Sequence, residues 1–213
     1  MSIISKERLL LNSRLYLVLD KDSCPRGNVA FVIRKLGKGI IDLVQLRETR
    51  AHDRGFLKDA EIVRNLCHKK GIIFLVNNRL DIAKLVNADG LHLGQSDLPL
   101  KIAIKFLGKD KIIGISCHNL NQALRAQEEG ANYISIGPIF STKTKPELKP
   151  IGIKILNILK RKIKIPFFLI GGINQVNIKR VISFGAERVC VCRAICSAEE
   201  PWYAAIKLKK QFS

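Results

Sequence analysis

Gly130-Ala131-Asn132-Tyr133-Ile134-Ser135-Ile136-Gly137-Pro138 holds the unit from which the fold is built. Gly130 suits the C′ position of a helix, where a left-handed residue sends the chain back. Tyr133–Ile136 is short and apolar, as a strand buried on both faces should be. Gly137-Pro138 then ends the strand in a turn. Upstream, Leu120, Ala123, Leu124 and Gln127 recur at three- and four-residue spacing, which is helical.

The unit repeats. Asn87-Ala88-Asp89-Gly90 and Gly185-Ala186-Glu187-Arg188 are near copies of the strand approach at Gly130. Short runs rich in Ile, Val and Leu recur at Leu15–Leu19, Leu43–Leu46, Ile72–Val76, Gly90–Leu93, Ile112–Ile115, Tyr133–Ile136, Phe167–Ile170 and Val189–Val191. Helix-length segments separate them, for example Phe56/Ala60/Val63/Leu66/Cys67 and Val176/Ile178/Val181/Ile182. Eight strands alternating with eight helices predict an α/β fold, a (β/α)8 TIM barrel. An open doubly wound sheet is the alternative, and it requires two of these runs not to be strands. No linker or shift in composition divides the chain, so the reading is one domain over residues 1–213.

A barrel of this kind carries its chemistry after the strands. Just past them come Asp20; Gln45 and Arg47; Asn77 and Asn78; His92, Gln95 and Asp97; Ser116 and His118; a loop with Thr142, Lys143, Thr144 and Lys145; Gly171-Gly172; and Arg193. Nearly every strand hands over to a polar or glycine cluster. Two hydroxyls and two ammonium groups within four residues suit a phosphate or pyrophosphate, although a solvated lysine-rich loop has the same composition. Gly171-Gly172-Ile173-Asn174 is expected to lead straight into a helix, so that backbone amides and the helix N-terminus would receive a phosphate.

Composition narrows the partners. The 213 residues carry a formal net charge of +19, with 47% hydrophobic and only 6% aromatic residues. Basic residues are dispersed, with no stretch that interleaves them with stacking aromatics and no zinc-finger spacing. The charge therefore points to small phosphorylated substrates in preference to nucleic acid. No secretory segment and no apolar run approaching ~18 residues is visible, so neither export nor a membrane is expected. Six cysteines without an export signal predict reduced thiols in a cytoplasm. Cys190-x-Cys192-x3-Cys196 has no second ligand pair and reads as small buried side chains. A homo-oligomer stays open.

Six segments, in order, then resemble one family. They are Gln45-Leu46-Arg47-Glu48, Asn77-Asn78-Arg79-Leu80-Asp81-Ile82-Ala83, Ala88–Asp97, Gly114-Ile115-Ser116-Cys117-His118, Gly137–Pro146 and Ile170-Gly171-Gly172-Ile173. Together, from about Leu15 to Ile195, the chain resembles thiamine phosphate synthases. The resemblance implies a transferase that joins a hydroxymethylpyrimidine diphosphate to a thiazole phosphate and releases pyrophosphate. In that family pyrophosphate departs first, the aminopyrimidine stabilises the cation left behind, and the thiazole nitrogen captures it.

Residue by residue, the resemblance implies that Arg47, Lys145 and Ser116 are catalytic. Gln45, Leu46, Arg47, Glu48, Thr49, Asn77, Ser116 and Lys145 would bind the pyrimidine diphosphate. Thr142, Lys143, Thr144, Gly172, Cys192 and Arg193 would bind the thiazole phosphate. Asn78 and Asp97 would hold Mg²⁺, and His92 and His118 would orient neighbours or serve structure. Three positions depart from the family pattern. Thr49 stands where a lysine is usual, with Arg50 beside it as a candidate replacement. Asn78 stands where the first magnesium aspartate is usual, and Arg193 where a small serine is usual. Two alternatives accompany this reading: a thiazole tautomerase, whose members carry a histidine where this chain has Pro138, and a paralogue that binds thiazole phosphate without turnover.

Overall fold

The computed structural model describes residues 3–49 and 52–212, so Arg50 lies outside the described residues. Eight parallel strands close into a barrel in sequence order: β1 (Leu15–Asp20), β2 (Leu43–Arg47), β3 (Ile73–Asn77), β4 (Gly90–Leu93), β5 (Ile112–Cys117), β6 (Tyr133–Ile136), β7 (Phe167–Ile170) and β8 (Val189–Val191). The expected (β/α)8 barrel is therefore the observed fold, and the open sheet is excluded because β1 pairs with β8. Helix α1 (Ile3–Asn12) precedes the barrel. Helices α2 (Val29–Lys35), α3 (Asp53–Lys70), α4 (Leu80–Leu85), α5 (Leu100–Leu107), α6 (Leu120–Glu128), α7 (Leu156–Lys162) and α8 (Ile178–Ser183) each follow one strand. After β8 come the short α9 (Arg193–Cys196) and then α10 (Pro201–Lys209).

Strand periodicity sorts the core into two layers. Leu17, Val44, Leu46, Leu91, Ile134 and Leu169 point outward and join the helices in the larger cluster. Tyr16, Leu43, Ile73, Leu75, Ile112, Tyr133 and Phe168 point inward, and Leu10 of α1 joins them. Tyr16, Tyr133 and Phe168 meet edge-on, with ring centroids 5.3–5.9 Å apart. Each such pair adds about 0.5–1.5 kcal/mol beyond its area burial. Gly114 makes this packing possible, since a Cβ there would lie 2.2 Å from the Tyr133 ring. Along most strands, β7 excepted, the inward residues change from apolar to polar toward the carboxyl end, and that gradient sets the site. Among the described residues no helix is long and apolar enough to cross a membrane.

Candidate functional site

Inward-facing polar residues form a connected chain through the barrel. Gln45 Nε2 donates to the Tyr16 hydroxyl. The Tyr16 and Tyr133 hydroxyls lie 3.0 Å apart, and Tyr133 lies 2.7 Å from His92 Nδ1. His92 Nε2 lies 2.9 Å from Ser116 Oγ and 3.3 Å from Ser135 Oγ. Burial lowers the His92 pKa to about 3, assisted by the Lys145 charge, so the ring is neutral. Desolvation raises both tyrosines well above the ordinary phenol value, so both keep their protons.

Above this layer, two cavities open at the carboxyl ends of the strands. The first, of about 280 Å³, sits over the barrel axis and is bordered by the β6, β7 and β8 loops. The second, of about 350 Å³, lies beside the ends of β2 to β5. Arg47, Asn77, Ser116, His118 and Lys145 line both and so form the seam between them. Arg47 donates to Asp20 at 2.6 Å, and Ser23 donates to the other Asp20 oxygen at 2.7 Å. That arrangement fixes one arm of the guanidinium and leaves the remaining donors for a ligand. His118 Nδ1 lies 2.8 Å from the Gly137 carbonyl, tying the β5 end to the β6 loop.

The β6 loop is held against β7 by backbone bonds, Ile139 to the Ile170 carbonyl and Phe140 to the Gly171 carbonyl. Gly171 has φ +100°, and a Cβ there would lie 2.4 Å from Pro138, so only glycine permits this approach. Thr142, Lys143, Thr144, Gly172, Cys192 and Arg193 all line the first cavity. The helix after Gly172 starts later than the sequence suggested, at Ile178. Asn174 and Asn177 fold the intervening residues into a turn, with both side-chain amides donating to the Gly172 carbonyl. After β7 it is therefore the backbone around Gly172, and not the N-terminus of α8, that faces the cavity.

Thr49, Asn78 and Asp97 line the second cavity with Arg47 and Lys145. Asn78 has φ +60°, a conformation asparagine tolerates, which turns it from the β3 end toward the rim. Asp97 accepts from the Gly94 amide at 2.5 Å.

Two expected residues are not brought in by their side chains. Leu46 faces the helices from the outer side of β2. Glu48 turns away to Lys21, at 3.3 Å, with its side chain almost fully covered. Both sit out of phase with Gln45 and Arg47, and the period of two along the strand explains it. By sequence alone Tyr16, Tyr133 and Ser135 have no place in the site, and Asp20 enters only as a strand-end polar residue without a role. Tyr16 and Tyr133 read as core aromatics, and only their inward register, in step with Gln45 and His92, distinguishes them.

The chain's relatives point to one family. The family model described as thiamine monophosphate synthase matches residues 15–195. A thiamine-phosphate synthase of Syntrophomonas wolfei is 41% identical, over 92% of this chain and 94% of its own length. One from Halalkalibacterium halodurans is 39% identical, over 88% of this chain and 89% of its own. The solved thiamine phosphate pyrophosphorylase of Pyrococcus furiosus superposes with a TM-score of 0.86 at 30% identity, covering 97% of each chain. A 3-hexulose-6-phosphate synthase, at 18% identity and TM-score 0.65, shares the fold. Matched along most of its length by sequence and by structure, the chain belongs to the thiamine-phosphate synthase family.

Proposed function

We propose that the seam is where pyrophosphate leaves a hydroxymethylpyrimidine diphosphate, and that the first cavity holds the thiazole phosphate that captures the remaining cation. The observation that carries this reading is the pair of cations, Arg47 and Lys145, on the boundary shared by both cavities. Negative charge grows on the departing oxygens, so fixed cations there favour the transition state over the ground state. Arg47 is held in advance by Asp20 and needs little reorganisation. Asn77 adds a hydrogen bond to the same oxygens. Gln45 and Ser116 hold the pyrimidine, while Thr142, Thr144, Lys143, Arg193 and the Gly172 backbone hold the thiazole phosphate. His92 is neutral and buried, so it supports this arrangement without carrying a charge into the site.

The donors around the second cavity suit Mg²⁺. Asp97 supplies a carboxylate and Asn78 an amide oxygen, and magnesium is commonly bound by one or two carboxylates plus substrate phosphates. When bound, Mg²⁺ would neutralise charge on the pyrophosphate. The six free thiols fit a reducing cytoplasm.

Turnover is tested by incubating the protein with both substrates and Mg²⁺ while following pyrophosphate and thiamine phosphate. Equal amounts of the two products, with neither formed when one substrate is omitted, are expected. Binding of thiazole phosphate without any release of pyrophosphate would overturn the reading.

A further inference from the structure

The chain from Gln45 to Ser116 has a direction, and the direction follows from donor chemistry. An amide nitrogen can only donate, so Gln45 Nε2 gives a proton to the Tyr16 oxygen. Tyr16 must then donate to Tyr133, 3.0 Å away. Tyr133 in turn donates to His92 Nδ1 at 2.7 Å, which places the single proton of the neutral ring on Nε2. His92 Nε2–H donates to Ser116 Oγ at 2.9 Å, and Ser135 Oγ donates to the same oxygen at 3.4 Å. Both acceptor positions of Ser116 are thereby filled, leaving its O–H to point outward as a donor. At the other end, the Gln45 carbonyl oxygen and one amide proton remain for a ligand.

We propose that Tyr16, Tyr133 and His92 are specificity-determining positioning residues whose directional hydrogen bonds fix the donor and acceptor pattern that Gln45 and Ser116 present to the pyrimidine. This rests on the pyrimidine diphosphate being a substrate. An aminopyrimidine offers an exocyclic N–H donor beside a ring-nitrogen acceptor, which matches the free oxygen and free N–H of Gln45. The oxo analogue offers the reverse, an acceptor beside a donor, and meets like with like. A mismatch at two largely desolvated groups predicts discrimination on the order of 10²–10⁴-fold in kcat/KM. Gln45 can turn over to accommodate the oxo compound only if the whole chain reverses with it: Tyr16 would donate to Gln45, Tyr133 to Tyr16 and His92 Nδ1–H to Tyr133, leaving Nε2 to accept from Ser116 or Ser135.

Tyr133→Phe and Tyr16→Phe remove one oxygen each and keep the aromatic packing. In Tyr133→Phe the Tyr16 proton is released and can turn to Gln45, so the amide can reverse. Each variant is expected to raise KM for the aminopyrimidine diphosphate, leave KM for the thiazole phosphate unchanged, and cut the amino-over-oxo preference at least about tenfold. ¹⁵N NMR of the wild-type protein is expected to show His92 neutral with its proton on Nε2, and this holds whether or not either variant folds. A proton on Nδ1, an unchanged amino-over-oxo preference, or parallel rises in both KM values would overturn the proposal. If the wild type fails to turn over even the aminopyrimidine, the proposed function fails instead, while the His92 tautomer still decides the direction of the chain.

Discussion

Arg47 and Asp20 are register partners on adjacent strands, and their side chains meet at 2.6 Å at the carboxyl end of the barrel. Asp20 is only 3% exposed, and Ser23 holds its second oxygen, so the carboxylate works as a fixed anchor. Asp20→Asn keeps the shape but removes the charge that aims the guanidinium. A lost charge-assisted contact is worth about 1.5–3 kcal/mol. Steady-state kinetics should show kcat/KM for the pyrimidine diphosphate lower by roughly 10–100-fold, with KM for the thiazole phosphate unchanged. Equal losses toward both substrates would show that Asp20 serves the fold and not the seam.

Asn78 lines the second cavity with Asp97, at the position where the family resemblance implies an aspartate. An amide oxygen coordinates Mg²⁺ without adding charge, so the metal requirement should be weak. Asn78→Asp is expected to lower the Mg²⁺ concentration for half-maximal turnover by about tenfold, the size of one charge-assisted contact. Titration of Mg²⁺ against rate for both proteins checks this. An unchanged midpoint would remove Asn78 from the metal site.

Cys192 lines the first cavity, and its thiol pKa is lowered, first by a hydrogen bond with Cys196 and further by Ser23 and Thr144. Burial raises Cys67 and Cys117, and Cys190 lies well above the ordinary thiol value for the same reason. Iodoacetamide should therefore modify Cys192 first, as peptide mass spectrometry would report. Thiazole phosphate at ten times its Kd should slow that labelling about tenfold by mass action. Labelling of another cysteine first, or no protection, would place the thiazole phosphate elsewhere.

His92 gives an acid-sensitivity test. Its folded pKa, about 3, lies below the ordinary value of 6.5. Between those values the unfolded chain binds a proton that the folded protein does not, so stability rises with pH. The contribution is complete above pH 6.5 and is lost as pH falls toward 3, at about 1.4 kcal/mol per pH unit. The difference in unfolding free energy between wild type and His92→Gln should show this slope across that window. A flat difference would mean that the histidine charges inside the barrel.

Much of the barrel was legible because each strand is a short apolar run and each helix has a 3.6-residue repeat. The apolar criterion stopped too early where a strand ends on a polar residue. β1, β2 and β3 each run on to a polar residue, Asp20, Arg47 and Asn77, because those backbones still pair. The start of α8 was misplaced because Val176 fits the apolar pattern yet is 92% exposed within the Asn174–Asn177 turn. At the site, the polar strand ends were readable one by one. Leu46 and Glu48 were over-read as a block, although alternation along β2 already separates them from Gln45 and Arg47. The Tyr16–Tyr133–His92 chain was not readable, since it joins three strands and depends on barrel closure and on the space left by Gly114.

The crystal structure of the protein with pyrophosphate, Mg²⁺ and thiamine phosphate tests the division of the site most directly. Pyrophosphate oxygens are expected between Arg47 and Lys145, with the metal beside Asn78 and Asp97. The phosphate of thiamine phosphate should lie against Thr142, Thr144, the Gly172 backbone and Arg193. Pyrophosphate seated at Gly172 and Arg193, with Arg47 and Lys145 left in solvent, would contradict that division.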